Sequence, residues 1–338
     1  MLPATGVSIT QAGLLSTLQD KGRRGLRHMG IPWSGTLTPA WQQIANALVG
    51  NAIDHCVIEC FEGGLQFTIQ GAPVRLAVIA DRQAKLSIRT DQYNVALTPY
   101  RSHTVAPGSQ VVIQNTGNAR HAIIALAGLH VPTQLGSAAT YAKAKLGGLE
   151  GAPLKPGDFL NIDTKINGPE LHCEPQQVPE YQASELRVVL GPQDDHFSVA
   201  GIESFLTTEY TLSTDADRMG ARLDGQAIEH RDAQSRDIVS DAIMPGSVQV
   251  PGSGLPIVLL CDAHTVGGYP KIATVLSIDL PLLGLQRPGA IFRFKAVSID
   301  EAIAATRAQH QSVAKTIAGI LPLVDQQVSS ETLLTHNL

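Results

Sequence analysis

The chain has 338 residues, of which 43% are hydrophobic and 16% are charged, and its formal net charge at pH 7 is −5. This length suits two domains of roughly 100–200 residues each, and the composition is that of a globular rather than a disordered protein. The acidic balance and the lack of a Lys/Arg block predict no nucleic-acid partner. The apolar stretches at 122–129 and 272–285 fall short of the ~20 residues that cross a membrane, so no membrane association is expected.

The N-terminal segment MLPATGVSITQAG has neither a basic region nor an apolar core, and therefore predicts no signal peptide. Cys56 and Cys60 lie four residues apart, which would place them on one face of a helix or in an irregular segment, but Cys173 and Cys261 supply no matching pair. We therefore predict no metal site and no disulfide framework. Reduced structural thiols in a cytoplasmic protein are expected instead.

The first predicted helix begins at Pro39, is capped by the side chain of Thr38 and ends at Gly50. Its apolar positions fall on one face, namely Trp41, Ile44, Ala45 and Leu48.

Two further helices are predicted in the second half of the chain. One starts near Asp194 or Asp195 and points Val199, Ile202 and Leu206 inward. The other opens with a capping box of Ser298 and Glu301 and runs past Thr316.

Short apolar strands are predicted at 74–80, 121–128, 185–191 and 256–261. In addition, a Pro-Gly turn precedes an apolar run at residues 107, 156, 245 and 288. Many short strands at this spacing favour β-barrels or sandwiches over a parallel α/β sheet. The polar, Pro-containing stretch 172–184 is the predicted domain boundary.

The usual catalytic motifs are missing from this sequence. It contains no phosphate-binding loop of the G-x-x-x-x-G-K-[ST] type, no G-x-G-x-x-G, no H-E-x-x-H and no G-x-S-x-G. It also has no Met-Lys-Met attachment site, so we expect no covalent biotin. From these patterns alone the chain is a two-domain, β-rich protein of undefined reaction.

Two blocks of sequence resemble a known family. The first is LSTLQDKGRRGLRHMGIPWSGTLTPAWQQIANALVGN, residues 15–51. The second begins with LGPQDDHF at 190, continues through TTEYTLSTDADRMGARLDG and ends in IVSDAIMPGSVQVPGSGLPIVLLCDAHTVGGYPKIATV at 275. With the closing LQRPGAIFRF, they resemble the KipA family, also called allophanate hydrolase subunit 2 or the biotin-dependent carboxyltransferase family. Its usual bacterial member is the C component of 5-oxoprolinase.

The resemblance implies a mainly β fold with some α, built as two linked β-barrel-like domains that are partly cyclophilin-like. The domains are expected at 1–178 and 179–310, with a helical or frayed tail at 311–338. A KipI-like B component of 5-oxoprolinase would form a cleft with this chain, and a LamB/YcsF-like A component would complete the assembly. Such complexes open 5-oxoproline to glutamate at the expense of ATP, so we expect ATP to act through the assembled complex.

The stretch from Asp262 to Lys271 resembles the family's cleft loop. Lys271 offers a charge for a carboxylate or phosphoryl group, and Asp262 or His264 could relay a proton. Arg218 could present a planar fork to a carboxylate. The predicted catalytic residues are therefore Asp262, His264, Lys271 and Arg218. Two structural alternatives stay open, because the polar groups of the loop could satisfy one another and Arg218 could form an internal salt bridge.

The predicted substrate-binding residues come from the same loop, from a predicted helix start that would attract anions, from a Pro-Gly turn at 251, and from the first block. The first block is either the rim of a site or the scaffold that holds one. The full set is Thr265, Gly267, Gly268, Tyr269, Pro270, His196, Gln249, Ser253, Arg24, His28 and Ser34.

The chain departs from the family pattern at several positions. The family usually has S-G-A-M-D where this chain has Ser34-Gly35-Thr36-Leu37-Thr38. It also has Arg at the position of Ala152 and Gln at the position of His264. These changes imply either a substrate other than 5-oxoproline or a first-half surface that is released from catalysis.

Three functions follow from the resemblance. The first is the C component of an ATP-dependent 5-oxoprolinase, inactive alone and acting on a small lactam or amide. The second is a carboxyltransferase-like component of a biotin-dependent urea or amide carboxylase. The third is a non-catalytic antagonist of a KipI-like kinase inhibitor.

Overall fold

The computed structural model describes residues 4–163, 166–181 and 183–323. Antiparallel strands dominate the first half. They are β1 (Gly6–Ala12), β2 (Leu15–Gln19), β3 (Val57–Phe61), β4 (Leu65–Gln70), β5 (Val74–Ile79), β6 (Lys85–Arg89), β7 (Asn94–Ala96), β8 (Ser102–Val105), β9 (Gln110–Asn115), β10 (His121–Leu126), β11 (Leu129–His130), β12 (Phe159–Ile162) and β13 (Leu171–His172). A seven-stranded sheet has the order β11-β12-β1-β4-β9-β6-β7, and a five-stranded sheet has the order β2-β3-β10-β5-β8.

The two sheets of the first half share one apolar core, and helix α1 (Pro39–Val49) covers the outer face of the five-stranded sheet. On β5, Leu76 and Val78 join the core between the sheets, whereas Ala77 and Ile79 pack with α1. Because both faces of β5 and β10 are covered, their sequences are continuous apolar runs. The strands predicted at 74–80 and 121–128 are thus confirmed.

Helix α1 has the predicted bounds but not the predicted cap. Its apolar face is buried, and Gly50 ends it in the left-handed conformation at φ 79°. The Thr38 hydroxyl makes no capping hydrogen bond, so that prediction was wrong. Instead Thr38 Oγ1 lies 3.2 Å from Nε2 of His121, because the residue is fully buried beside this imidazole.

The second half is built around a closed barrel. Its strands are β14 (Glu185–Leu190), β15 (Tyr210–Leu212), β16 (Gly220–Asp224), β17 (Asp241–Ala242), β18 (Ser247–Gln249), β19 (Ile257–Leu259), β20 (Val266–Gly267), β21 (Lys271–Val275), β22 (Ile291–Ala296) and β23 (Leu321–Pro322). The barrel order is β14-β21-β18-β19-β16-β15-β22, and parallel pairing of β14 with β22 closes it. The mainly β, barrel-containing fold is thereby confirmed.

Two short strands stand outside the barrel and form what we call the ribbon, residues 238–243 and 265–268. Its strands β17 and β20 pair Asp241 with Gly267 and Ala242 with Val266. At its ends, Ile238 N–H donates to the Gly268 carbonyl at 2.8 Å, and Ile243 N–H donates to the Thr265 carbonyl at 3.1 Å. Few backbone hydrogen bonds therefore join the two strands of the ribbon.

The predicted start of the second helix was wrong. Asp194–His196 form a separate 3-10 turn, and α2 (Val199–Thr207) begins after Ser198, whose hydroxyl accepts from Gly201 N–H at 2.9 Å. Since Ser198 is the actual cap, Val199 lies in the first turn and is 85% exposed rather than inward. Cys60 likewise lies in strand β3 rather than on a helix face.

The Pro-Gly turns occur as predicted. Each glycine has a positive φ, between 82° and 98°, which a side chain rarely adopts. Each turn leads into a strand: Gly108 into β9, Gly157 into β12, Gly246 into β18 and Gly289 into β22.

Two helices complete the second half, α3 (Leu280–Leu285) and α4 (Ile299–Ala318). The predicted domain limit between 310 and 311 lies inside α4, and residues 324–338 of the predicted tail lie outside the described residues. Across the described ranges, no helix combines the length and apolar character needed to cross a bilayer.

We expect Ser298→Ala to lower the free energy of unfolding by about 1 kcal/mol, the usual effect of losing an N-cap. The Ser298 hydroxyl accepts from Glu301 N–H at 3.2 Å, and the Glu301 carboxylate accepts in return from Ser298 N–H at 2.8 Å. Urea unfolding measures the change, with Gln311→Ala on the exposed surface of α4 as control. Equal stabilities of the two variants would contradict a capping role.

Candidate functional site

The two blocks that carry the family resemblance meet where the first half contacts the second. Arg27 donates to the Ile243 carbonyl from Nη2 at 2.6 Å and to the His264 carbonyl at 2.5 Å. Nearby, Ser34 N–H donates to the Cys261 carbonyl at 2.9 Å. Segments more than 200 residues apart in sequence thus form one surface.

Arg218 forms a buried ion-pair network at this junction. Its Nε donates to Asp262 Oδ2 at 3.0 Å, its Nη1 pairs with Glu59 from strand β3, and its Nη2 donates to the Gly35 carbonyl at 2.6 Å. The three charged side chains are at most 14% exposed. The predicted pair Arg218 and Asp262 therefore comes together in the internal salt bridge that the sequence left open.

Glu59 is charged despite its burial. Desolvation by itself would raise the pKa of this carboxyl, but Arg218 and donors from the first block outweigh it, so the pKa lies below its usual value. Those donors are Thr36 Oγ1 at 3.0 Å and Leu37 N–H at 2.9 Å. The network therefore links β3, the first block and the barrel loops into one unit.

A cleft of about 350 Å³ opens beside this network, between the two halves. Its walls come from the first block, from the barrel loops and from helix α4. Lining residues include Arg24, Trp33, Ser34, Pro245, Cys261 and His310. Such a volume is within the range of about 300–1,000 Å³ that is usual for small-molecule sites.

Arg24 is the cation best placed to bind a ligand in this cleft. Its guanidinium lies 3.9 Å from the centroid of the Trp33 ring, and its Nε has one long hydrogen bond of 3.4 Å to the Lys21 carbonyl. Within the described residues no carboxylate lies at ion-pair distance from it, whereas Lys21 pairs with Asp54 at 2.5 Å. A stacked guanidinium with two free terminal nitrogens is suited to a carboxylate.

Ser34 also lines the cleft. It has a φ of 54°, in the left-handed region that a serine rarely adopts. Its hydroxyl is buried and has no hydrogen-bond partner among the described residues. An unpartnered buried hydroxyl at a cleft wall is a candidate contact for a polar ligand atom.

Lys271 lies on the outer face of the barrel, under the ribbon, and is not among the residues that line the cleft. Its side chain is 3% exposed. The ammonium donates to Asp241 Oδ2 at 2.8 Å and to the Ala242 carbonyl at 3.1 Å. Lys271 is therefore not brought together with Arg218 and Asp262.

The other predicted loop residues help to build the ribbon and its surroundings. A Cβ added to Gly267 would lie 2.5 Å from Nε2 of Gln249, so this glycine permits a close approach. Tyr269 and His264 are exposed, and Pro270 is buried. The backbone carbonyls of Thr265, Gly268 and Pro270 accept hydrogen bonds from Ile243, Ile238 and Val250.

Three further predicted residues, His196, His28 and Ser253, are not among the residues that line the cleft. His196 Nδ1 lies 3.1 Å from the Ser235 carbonyl. His28 is exposed on a short 3-10 turn, and Ser253 is exposed in the Pro-Gly turn at 251.

Three residues of the site were missed from the sequence. Glu59 could have been predicted, because a single carboxylate inside the apolar strand VIECF needs a cationic partner when it is buried. Trp33 could also have been predicted, because it is an aromatic residue next to arginines in a polar loop. Asp241 lies in a polar, exposed segment, and no sequence pattern distinguishes it there.

In the parts of the chain that the structure describes, no three His, Cys, Asp or Glu residues cluster as metal ligands. All four cysteines are unpaired, and only Cys261 is partly exposed. Burial raises the pKa of the Cys261 thiol, so it is protonated at neutral pH.

Comparison with known proteins now defines the family. The family model "Carboxyltransferase domain, subdomain A and B" matches residues 29–296. The chain therefore belongs to this carboxyltransferase-domain family, and the resemblance seen in the two blocks is confirmed.

The chain is 34% identical to the C component of 5-oxoprolinase from Escherichia coli over 90% of its own length and 96% of that protein. It is also 34% identical to the C component of the Haemophilus influenzae 5-oxoprolinase, over 85% of this chain and 90% of that one. A putative urea carboxylase of Emericella nidulans is 28% identical over 88% of this chain, which corresponds to 25% of that longer protein.

Solved structures show the same fold. Kluyveromyces lactis urea carboxylase aligns with a TM-score of 0.84 at 22% identity, over 97% of this chain and 30% of that one. A protein designated TTHA0988 aligns with a TM-score of 0.75 at 28% identity, over 87% of this chain and 57% of that one. In both cases the fold forms part of a longer chain.

Proposed function

We propose that this chain is the C component of an ATP-dependent 5-oxoprolinase, which opens 5-oxoproline to glutamate. The observation that supports this most strongly is the 34% identity to the C component of 5-oxoprolinase from Escherichia coli across 90% of this chain and 96% of that protein. Nearly the whole of each protein takes part in the match.

The cleft suits a substrate of this class. 5-Oxoproline is a small ring with one carboxylate and one planar lactam. In our proposal the two terminal nitrogens of Arg24 bind the carboxylate, and the buried hydroxyl of Ser34 contacts the lactam group. Trp33 fixes the Arg24 guanidinium by stacking on it at 3.9 Å, which reduces the entropy lost on binding.

ATP enters the proposal only through the assembled complex. The cleft contains the carboxylates of Asp20 and Asp54, and the charge of Lys21 is already paired with Asp54. A single unpaired guanidinium beside two acidic side chains fits one carboxylate better than a triphosphate. We therefore assign ATP to the proposed KipI-like B component and LamB/YcsF-like A component.

Glutamate formation tests this proposal. The chain is mixed with its B and A components, ATP and 5-oxoproline, and glutamate is measured against mixtures that lack one protein each. We expect glutamate only in the complete mixture. Formation of glutamate at full rate without this chain would contradict the proposal. A complete complex that is stable but forms no glutamate would also contradict it.

Carboxyl transfer is a second candidate, favoured by the 28% identity to a putative urea carboxylase over 88% of this chain. A protein with this function must bind the biotin ring of a separate carrier. Titration calorimetry with free biotin separates the two functions, because the oxoprolinase proposal predicts no binding. Biotin binding that Arg24→Ala weakens would favour carboxyl transfer.

A further inference from the structure

We propose that Lys271 and Gln249 form a second carboxylate-binding site, which Asp241 of the ribbon occupies in this structure. A free carboxylate ligand would take the place of the Asp241 side chain when the ribbon moves away. This site is separate from the Arg24 cleft and does not rest on oxoprolinase activity.

The first observation is the contact set of the ammonium group. Lys271 Nζ donates to Asp241 Oδ2 at 2.8 Å and to the Ala242 carbonyl at 3.1 Å, and both acceptors belong to the ribbon. Gln193 Nε2 lies 3.3 Å from the same Oδ2. One carboxylate oxygen thus receives two donors from the body of the barrel domain, as a bound ligand would.

The second observation is an unused donor at the same place. Gln249 is 6% exposed and stands directly opposite Lys271 in the pairing of β18 with β21. Its Nε2 is buried and has no acceptor among the described residues. Leaving a buried amide without a partner costs free energy. A ligand carboxylate, which is not tethered to a strand as Asp241 is, could accept from both Lys271 and Gln249.

The third observation is the unequal burial of the two charges. The Lys271 side chain is 3% exposed, whereas that of Asp241 is 52% exposed. Asp241 can therefore move into water at little cost, but Lys271 cannot be left without an anion. Replacement of Asp241 by a ligand carboxylate keeps the buried charge balanced, so Asp241 is the exchangeable partner.

The ribbon has short strands, and its end residue Ile243 is buried in a small apolar cluster. Its strands are two residues long, and a two-stranded ribbon of this size is marginally stable by itself. Arg27 of the first block binds the carbonyls of Ile243 and His264, one beside each strand. A movement of the ribbon would therefore change the Arg27 contacts at the junction of the two halves, next to the Arg24 cleft.

Amine acetylation of the free chain tests the proposal. The chain is treated with an N-hydroxysuccinimide ester of acetate, and the labelling rate of each lysine is followed by peptide mass spectrometry. In the wild type Lys271 should react far more slowly than the exposed Lys155. Asp241→Ala should accelerate Lys271 labelling by about tenfold or more, since hydrogen bonds to charged groups are strong.

The second part of the experiment repeats the labelling with a possible ligand present. Sodium acetate, 5-oxoproline or the neutral 2-pyrrolidone is added at equal concentration, and the ionic strength is matched with chloride. Both carboxylates should slow Lys271 labelling in Asp241→Ala, whereas 2-pyrrolidone and chloride should not. Asp241→Asn, which keeps the shape but loses the charge, should show intermediate labelling. Asp237→Ala, which changes an exposed carboxylate beside the ribbon, is the matched control and should resemble the wild type.

Unchanged Lys271 labelling in both Asp241 variants would overturn the proposal, because the lysine would then be enclosed by the barrel itself. Equal protection by chloride and by carboxylates would also overturn it. Slow labelling of the buried Cys60 by iodoacetamide confirms that the variants are folded. The experiment needs neither ATP nor the other components of the complex, so its outcome is distinct from that of the glutamate assay.

Discussion

Arg218→Ala is expected to lower the free energy of unfolding by about 3–5 kcal/mol, the usual effect of removing one partner from a buried ion pair. The substitution would leave Glu59 and Asp262 without their common cation. Glu59 keeps only neutral donors, the Thr36 hydroxyl and the Leu37 N–H. Urea unfolding at pH 7 measures the loss.

The pH dependence of this loss has a definite sign. In the wild type the folded-state pKa of Glu59 lies below the ordinary 4.5. Its contribution to stability is therefore complete above pH 4.5 and is lost as the pH falls through that lower pKa. In Arg218→Ala burial acts without the cation and raises the pKa of Glu59. The loss of stability caused by Arg218→Ala should therefore become smaller as the pH is lowered from 7 to about 5.

Two further variants make the interpretation specific. Glu59→Gln in the Arg218→Ala background should recover part of the lost stability, because it removes a buried charge. Arg287→Ala removes the exposed partner of Glu62 and should cost below about 1 kcal/mol. An Arg218→Ala loss as small as that of Arg287→Ala, or without pH dependence, would contradict a charged buried network.

Arg24→Ala is expected to raise the KM for 5-oxoproline in the assembled complex by about 10–100-fold. A hydrogen-bonded charge pair contributes about 1.5–3 kcal/mol, and about 1.4 kcal/mol corresponds to tenfold in affinity. Arg24→Lys should recover only part of the affinity, because a lysine cannot form the two parallel hydrogen bonds. Steady-state kinetics of glutamate formation provides the measurement.

Arg222→Ala is the control, since this arginine is exposed on the barrel and does not line the cleft. Its KM should equal that of the wild type. If Arg24→Ala leaves KM unchanged, the carboxylate of the substrate is bound elsewhere, and the assignment of the cleft fails.

The strands and turns could be predicted because their signals are local. The continuous apolar runs of β5 and β10 require cover on both faces, and each Pro-Gly pair fixes its own backbone conformation. Thr38 shows that a local sequence pattern does not determine a tertiary contact. Its hydroxyl would cap a helix in isolation, but in the folded chain it faces the buried His121.

The site depended on contacts between distant segments, which no local pattern specifies. The loop from Asp262 to Lys271 was expected to act as one cleft loop. The structure instead divides it, with Asp262 joined to Arg218 in the junction and Lys271 placed under the ribbon. Asp241 could not be found from the sequence, because its role depends on the ribbon lying over β21.

Paired assays of phosphate and glutamate test the central proposal most directly. The B and A components, ATP and 5-oxoproline are incubated with and without this chain, and the amounts of both products are compared. We predict that the two products appear together, in equal amounts, only when this chain is present. Formation of glutamate without the chain, or phosphate release from the complete complex without glutamate, would contradict the assignment as the C component.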